Sequence, residues 1–434
     1  MLRSLFFAPI LLLALLFSTS ANSQYVLDEY YKQKGILYED HVYKAGIQTV
    51  RLHPVEDELA MPIIRLNGGT LRLSFDDLYD DFMNLSYTII HCNADWTPSG
   101  LLTQEYIANL QDDYIQNYEY SLNTLFAYTH YNLNIPNGNM RLLKSGNYLI
   151  KVYANNDPSD LVLTKRFMVY EDIVTAGGEI KRPTIVEYIS TGQEVRFTIS
   201  HPNYEIPNPF TDLKVHVLQN QRWDNSLTNL KPQFLQNNQL VYNYNRESTF
   251  PGGNEFRFFD IKNMRTLTLN MRRVDIDSVY TVYLKDDASR EIERYSTYPD
   301  INGQFVIRRL DATNSASEAD YVYVDFQLRY PTPLAVGDVY LFGKHTDWKL
   351  LPEYRLKYDP ARKAYHSKVL LKQGYYNFMY AVYDGATKTA DISTVEGSHW
   401  ETENTYQILV YNREIGQRYD RLIGFGELSS ADLY

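Results

Sequence analysis

Chemistry in a protein begins with nucleophiles, imidazoles and carboxylates, and one run gathers several of them: YTIIHCNADWTPS, from Tyr87 to Ser99. It holds Cys92, the only cysteine of the chain, with His91 before it, Asp95 three residues on and Trp96 next. A thiol beside an imidazole is how a nucleophilic cysteine is activated. In a regular strand, however, successive side chains point to opposite faces, so His91 and Cys92 do not pair without a bulge. Cys92 falls in phase with Thr88 and Ile90 and reads as a small buried hydrophobe. The NADWTP that follows reads as turn chemistry, Asp95 bonding the backbone and Trp96 packing over the sandwich end.

Other reactive sets do not assemble. The histidines at 41, 53, 91, 130, 201, 216, 345, 366 and 399 never fall at metal-ligand spacing. There is no G-x-S-x-G elbow, P-loop or H-E-x-x-H, and GFGELSS from Gly424 lacks the third glycine and the βαβ setting of a dinucleotide site. DDLYDD puts Asp76, Asp77, Asp80 and Asp81 in one loop between strands, at a spacing that matches no defined calcium site. Glycosidase-type carboxylate pairs stay open among 53 acidic residues, none of them singled out. PGGNEFRFFD, from Pro251 to Asp260, reads as a tight Gly252-Gly253 turn entering a strand. There Arg257 is suited to clamp a carboxylate, either a partner's or an internal one such as Glu255. DINGQFVI, from Asp300 to Ile307, carries the Asn-Gly pair of a tight hairpin. No enzyme activity, metal or cofactor is expected.

The elements that must position these residues are strands. Tyrosine occurs 39 times and phenylalanine 19 times, residues that suit a pleated, half-buried surface, and tyrosine also favours interfaces. Beyond residue 45 nearly every segment reads as a strand bounded by Pro, Asn or Gly. IQTVRLHP, TLRLSFDDL, LSYTIIHC, GNYLIKVYA and LVLTKRFMVYE belong to a first set; QEVRFTIS, DLKVHVLQN, EFRFFDIK and VYTVYLK to a second; YVYVDFQLRY, YHSKVLLK, GYYNFMYAVYD and TYQILVYNRE to a third. One helix is expected around Leu101–Ile115. DIVTAGGEIKRP (172–183) reads as a linker and DATNSASEAD (311–320) as a second boundary. The expected architecture is all-β, three tandem immunoglobulin-like or early-set β-sandwich domains at 24–172, 173–312 and 313–434.

The first residues, MLRSLFFAPILLLALLFSTSANSQ, read as a secretory signal peptide over 1–23, with no cysteine at the cleavage point for a lipid anchor. Its apolar run is too short to span a bilayer. The leader holds Arg3 and no acid, so removing it takes the net charge from −11 to −12. An exported, acidic chain is ill suited to nucleic acid or an anionic membrane surface. With one cysteine there is no internal disulfide, and stability must come from buried cores.

Taken together, YTIIHCNADWTPSGL, GGNEFRFFDIK with DINGQFVI, and YRLKYDPARKAYHSKVLLKQGYYNFMYAV resemble the type IX secretion system plug protein family of Bacteroidetes-type bacteria. The resemblance implies a non-enzymatic periplasmic protein, peripherally associated with the giant outer-membrane translocon barrel and sealing its periplasmic mouth when no cargo is in transit. A large, polar, Tyr-rich contact suits a plug that cargo must displace. On physical grounds alone, Trp96, Trp223, Arg257 and Phe259 are candidate partner contacts. The third domain also resembles, more distantly, the early-set sandwiches that bind glycogen-like glucans: Val339, Gly343 and Trp348 match a strand, a glycine and a turn tryptophan, and Asn404 lies near a sugar-contacting asparagine. The second platform residue is replaced by Ala386 and Thr387 unless Trp400 serves, so Trp348, Trp400 and Asn404 are the candidate glycan platform of an alternative, carbohydrate-binding reading. Two further readings are weaker. Exported cargo would end in a sandwich signal with a basic tail, where this chain ends GELSSADLY. An outer-membrane barrel would need longer alternating strands than VRFTIS or LKVHVLQN.

Overall fold

A computed structural model describes residues 30–79, 82–228, 230–335, 337–384 and 389–433. The expected leader at 1–23, Asp80 and Asp81 of the acidic loop, Ala386 and Thr387 lie outside them. The fold is all-β and sandwich-like, as the strand pattern predicts.

The first sandwich comes from one stretch of chain. One sheet runs in the order His41–Val42, Leu161–Tyr170, Gly146–Ala154, Leu85–Cys92, Asp112–Tyr114; the facing sheet runs Ile47–Pro54, Leu71–Asp77, Thr129–Ile135, Asn117–Tyr120. Between them lie Leu73, Phe75, Tyr87, Ile89, Tyr131, Tyr148 and Phe167. The helix expected around Leu101–Ile115 is a single turn, Thr103–Tyr106, followed by strands Ile107–Asn109 and Asp112–Tyr114. Asn109 takes a left-handed conformation, which ends the first of these strands and turns the chain before it can re-pair.

The other two sandwiches do not follow the linear division at 312/313. The middle one pairs Thr175–Lys181, Gly192–Ser200, Gln239–Tyr242 and Phe234–Gln236 in one sheet, but its facing sheet is Leu213–Gln219, Thr405–Asn412 and Arg421–Ser429. Two strands assigned by sequence to the third domain thus complete the middle core, where Tyr406, Ile408, Val410 and Ile423 meet Val195, Phe197 and Val215. Conversely Arg257–Asp260, Met271–Ile276, Tyr280–Leu284 and Phe305–Ile307, assigned to the middle, join the eleven-stranded sheet of the third body. That sheet closes over one core containing Phe259, Val282, Val324, Leu341, Tyr376 and Phe378. The third body is therefore inserted into the middle one. The segment read as a linker is largely strand Thr175–Lys181; at Gly178 a Cβ would stand 2.0 Å from the Arg196 carbonyl, so the glycine is what lets this strand close on its neighbour. The DATNSASEAD segment forms a short helix, Ser315–Glu318, capped by Asn314. Asn302-Gly303 is a left-handed turn as expected, but it does not join two strands of a hairpin: the strand after it, Phe305–Ile307, pairs with Gly374–Asp384.

Candidate interaction surface

The reactive-looking residues are spent on joining the three bodies. Strand Leu85–Cys92 is covered on both faces. His91 is buried, its Nε2 3.0 Å from the Ser145 carbonyl and its ring against Tyr148 and Tyr419. Cys92 lies in a cluster with Met61, Trp96, Leu149 and Met168 of the first sandwich and Leu218, Leu409, Tyr411 and Leu422 of the middle one. Burial pushes its thiol up to about 12, the reverse of what a nucleophile needs.

The four candidate partner contacts are engaged within the chain, Trp96 and Phe259 buried and Trp223 and Arg257 half-buried, which corrects the assignment of Trp96 and Phe259 to a surface. Trp96 and Trp223 do meet, edge to face at 5.1 Å. Arg166, paired with Asp40, caps both rings at 5.2 and 5.4 Å. This is the seam between first and middle sandwich. Phe259 is a core residue stacked on Tyr376 at 5.0 Å. The Arg257 guanidinium is engaged within the chain: it holds buried Glu396 (3.0 Å) and Asp287 (2.9 Å), and Arg290 also reaches Glu396 at 2.7 Å. The internal partner foreseen for it, Glu255, instead accepts from the Tyr295 hydroxyl and the Glu403 amide.

The glycan platform does not form. Trp348 is buried against Phe256 and Phe342, with Arg222 5.2 Å over its ring. Trp400 lies instead on the middle sandwich, under Arg182 at 4.9 Å. Asn404 is buried, its amide donating to Gln193 and to the Gly252 carbonyl while its oxygen accepts from Asn220. It stitches the place where the chain crosses between bodies and has no free polar atom for a sugar.

A second seam, between first and third bodies, had no signal in single residues. Asp76 and Lys372 form a buried ion pair at 2.6 Å. His130 and the Tyr321 hydroxyl hold the same carboxylate at 2.6 and 2.7 Å, and Lys372 lies 4.1 Å from the centre of the Tyr128 ring. Burial by itself would raise the Asp76 carboxyl, but Lys372 and His130 hold it below the ordinary carboxylate range. DDLYDD, read as a single loop, in fact starts inside a strand, Leu71–Asp77. A three-way junction of about 300 Å³ is lined by Asp40, Lys165 and Arg166 from the first body, Trp223 from the middle and Asp347 from the third; Lys165 grips Asp347 at 2.6 Å.

One outward-facing feature is an edge of the first sandwich. Strand Asn117–Tyr120 is exposed throughout. Phe82 lies on Tyr118 at 4.9 Å and Tyr118 on Tyr120 at 5.7 Å, with Tyr114 exposed on the neighbouring edge strand. A contiguous exposed aromatic patch marks a contact surface better than single exposed apolar residues do. Sequence reasoning missed it because the alternation that marks a strand does not say which strand ends at an edge.

A profile of the type 9 secretion system plug protein first domain matches residues 47–171, which is the first sandwich. The crystal structure of a hypothetical protein from Parabacteroides merdae ATCC 43184 superposes with a TM-score of 0.87 at 33% identity, over 91% of this chain and 100% of that one. Native alpha-2-macroglobulin from Escherichia coli, spanning domains NIE-MG1, aligns at 10% identity over 47% of this chain and 91% of that one, with a TM-score of 0.17 that carries no argument. No curated protein matches. The chain belongs to the type IX secretion system plug protein family.

Proposed function

We propose that this protein is a non-enzymatic periplasmic stopper that seats against the giant outer-membrane translocon barrel of type IX secretion and closes its periplasmic mouth when no cargo is in transit. The observation that carries this reading, beyond family membership, is the interlocking of the three bodies. One is threaded into another, and the first is tied to the third by the buried Asp76–Lys372 pair. Relative motion of domains is the default where interfaces are small and polar; here each seam is a packed cluster or a buried ion pair. A stiff body suits a stopper, which must resist deformation across an opening. Its attachment must also be weak enough to be displaced.

The test is a crosslinked pull-down of tagged protein from the native envelope, paired with outer-membrane permeability in a strain lacking the gene. Recovery of the barrel in near-equal amount, with crosslinks on one face and a leak that the gene repairs, is the expected result. An intact barrier in the deletion strain, together with recovery of soluble proteins only, overturns it.

A further inference from the structure

The aromatic edge has a backbone counterpart. In the hairpin that pairs Asn117–Tyr120 with Thr129–Ile135, the register sets Tyr118 opposite Tyr131 and Tyr120 opposite Thr129. The Ser121 amide donates to the Tyr128 carbonyl at 2.8 Å, so Ser121 and Tyr128 form a hydrogen-bonded pair. Alternation in an antiparallel ladder then makes the Tyr118 and Tyr120 pairs the non-bonded kind, with their N–H and C=O groups directed away from the partner strand. The next residue of the same parity confirms the direction: the Leu122 amide points outward and donates to the Ser317 carbonyl of the third body at 2.8 Å. The third body therefore covers the edge at Leu122. Among the described residues the outward groups of Tyr118 and Tyr120 have no partner.

Charge says what kind of strand fits. From residue 73 to 140 the chain contains nine acidic residues and no lysine or arginine. Asp112, Asp113 and Glu119 flank the edge. Asp112 accepts from Tyr153, Asp113 from Asn139, the Tyr87 hydroxyl and the Tyr114 amide, and Glu119 from Asn314; Lys151 acts on Asp112 without pairing with it, and among the described residues none of the three acids is held in an ion pair. A second copy of this edge would bring like charges face to face, which opposes self-pairing. We infer that the edge strand Asn117–Tyr120 docks an extended, basic polypeptide segment of a partner protein by strand addition. The backbone bonds go to Tyr118 and Tyr120, apolar side chains of the segment lie on Phe82, Tyr114 and Tyr118, and its lysines or arginines face Asp112, Asp113 and Glu119. The inference rests on the plug reading only for where such a partner is found; the docking chemistry stands without it.

The test uses the full mature chain and two synthetic peptides, one alternating lysine with valine and tyrosine, the other with glutamate in place of lysine. The expected result is binding of the lysine peptide alone, weakened by salt, with hydrogen-exchange protection confined to the amides of Tyr118, Tyr120 and their neighbours. Tyr120→Pro removes an outward donor that the hairpin does not use, a place where an edge strand tolerates proline. It should bind about tenfold more weakly than Tyr120→Ala, with both variants melting like the parent. Equal binding of both peptides, protection elsewhere, or no binding at all overturns the inference and leaves the acids as guards against edge pairing. If the edge fails this test while the envelope experiment still recovers the barrel, the plug reading survives without it. The converse result, a working edge with no barrel recovered, would discard the plug and keep the docking site.

Discussion

The sulfur of Cys92 has hydrocarbon and ring edges around it where an activated thiol would have cations. A thiolate there would be desolvated, and burial raises the group to about 12. The folded protein should thus resist a thiol-specific reagent such as dithionitrobenzoate at pH 8 and release one thiol per chain only on unfolding; rapid labelling of the native protein would reopen the nucleophile reading. At Asp76 the charges matter for stability. Replacing Lys372 by methionine leaves a buried carboxylate with His130 and Tyr321 but no ammonium, and removing one partner of a buried pair costs about 3–5 kcal/mol. Urea unfolding measures this. Because the folded Asp76 is held below its unfolded value near ~4, its contribution is present above that pH and lost as pH falls through the folded value. Lys372→Met should move that acid limb upward.

The crossing segments Pro251–Phe256 and Gly397–Asn404 are the two places where the chain passes between middle and third bodies. The His399 amide donates to the Gly253 carbonyl, and a Cβ on Gly252 would stand 1.9 Å from the His399 carbonyl oxygen. Backbone on both sides leaves nothing flexible to yield. Gly252→Ala should destabilise by about 1–3 kcal/mol or more, whereas Gly138→Ala, with nothing within 4 Å, should stay within about 0.5 kcal/mol of the parent. Equal thermal shifts in the two would contradict the crossing geometry. Beside it, burial first and the neighbouring Glu255 second push Asp300 up to about 7, and its carboxyl accepts from the Phe256 and Asn302 amides. An acid whose folded pKa is raised stabilises below its unfolded value and loses that contribution as pH rises through the folded one. The melting temperature should therefore fall between about pH 4 and 7 in the parent, levelling off above, and less steeply in Asp300→Asn over the same range; parallel slopes would remove Asp300 from the account.

Threading of the third body through the middle one makes the two interdependent. A fragment spanning 173–312 lacks Thr405–Asn412 and Arg421–Ser429, so it keeps one sheet of the middle sandwich and one strand of the other. It should be unfolded or aggregated, and so should the middle body of a chain truncated at 404, while 30–172, with its own two sheets, retains the circular dichroism of a folded β protein. A soluble, cooperatively melting 173–312 fragment would contradict the topology.

Local pattern was enough for the strands, the all-β class and the inertness of His91–Cys92, because period-two alternation and residue type are properties of a few neighbours. The family resemblance was legible in the same local runs. Pairing is a different matter. Whether TYQILVYNRE lies beside YHSKVLLK or beside DLKVHVLQN depends on which buried faces complete one another across some two hundred residues, and both strands alternate equally well. The destinations of Trp96, Trp348, Arg257 and Asn404 were decided in the same way. Large rings, arginines and amides are as useful at a seam between bodies as on a surface, and only the packed structure distinguishes the two. It also decided which strand is left at an edge, since Asn117–Tyr120 is exposed for want of a neighbour beyond it, and no residue within the strand records that.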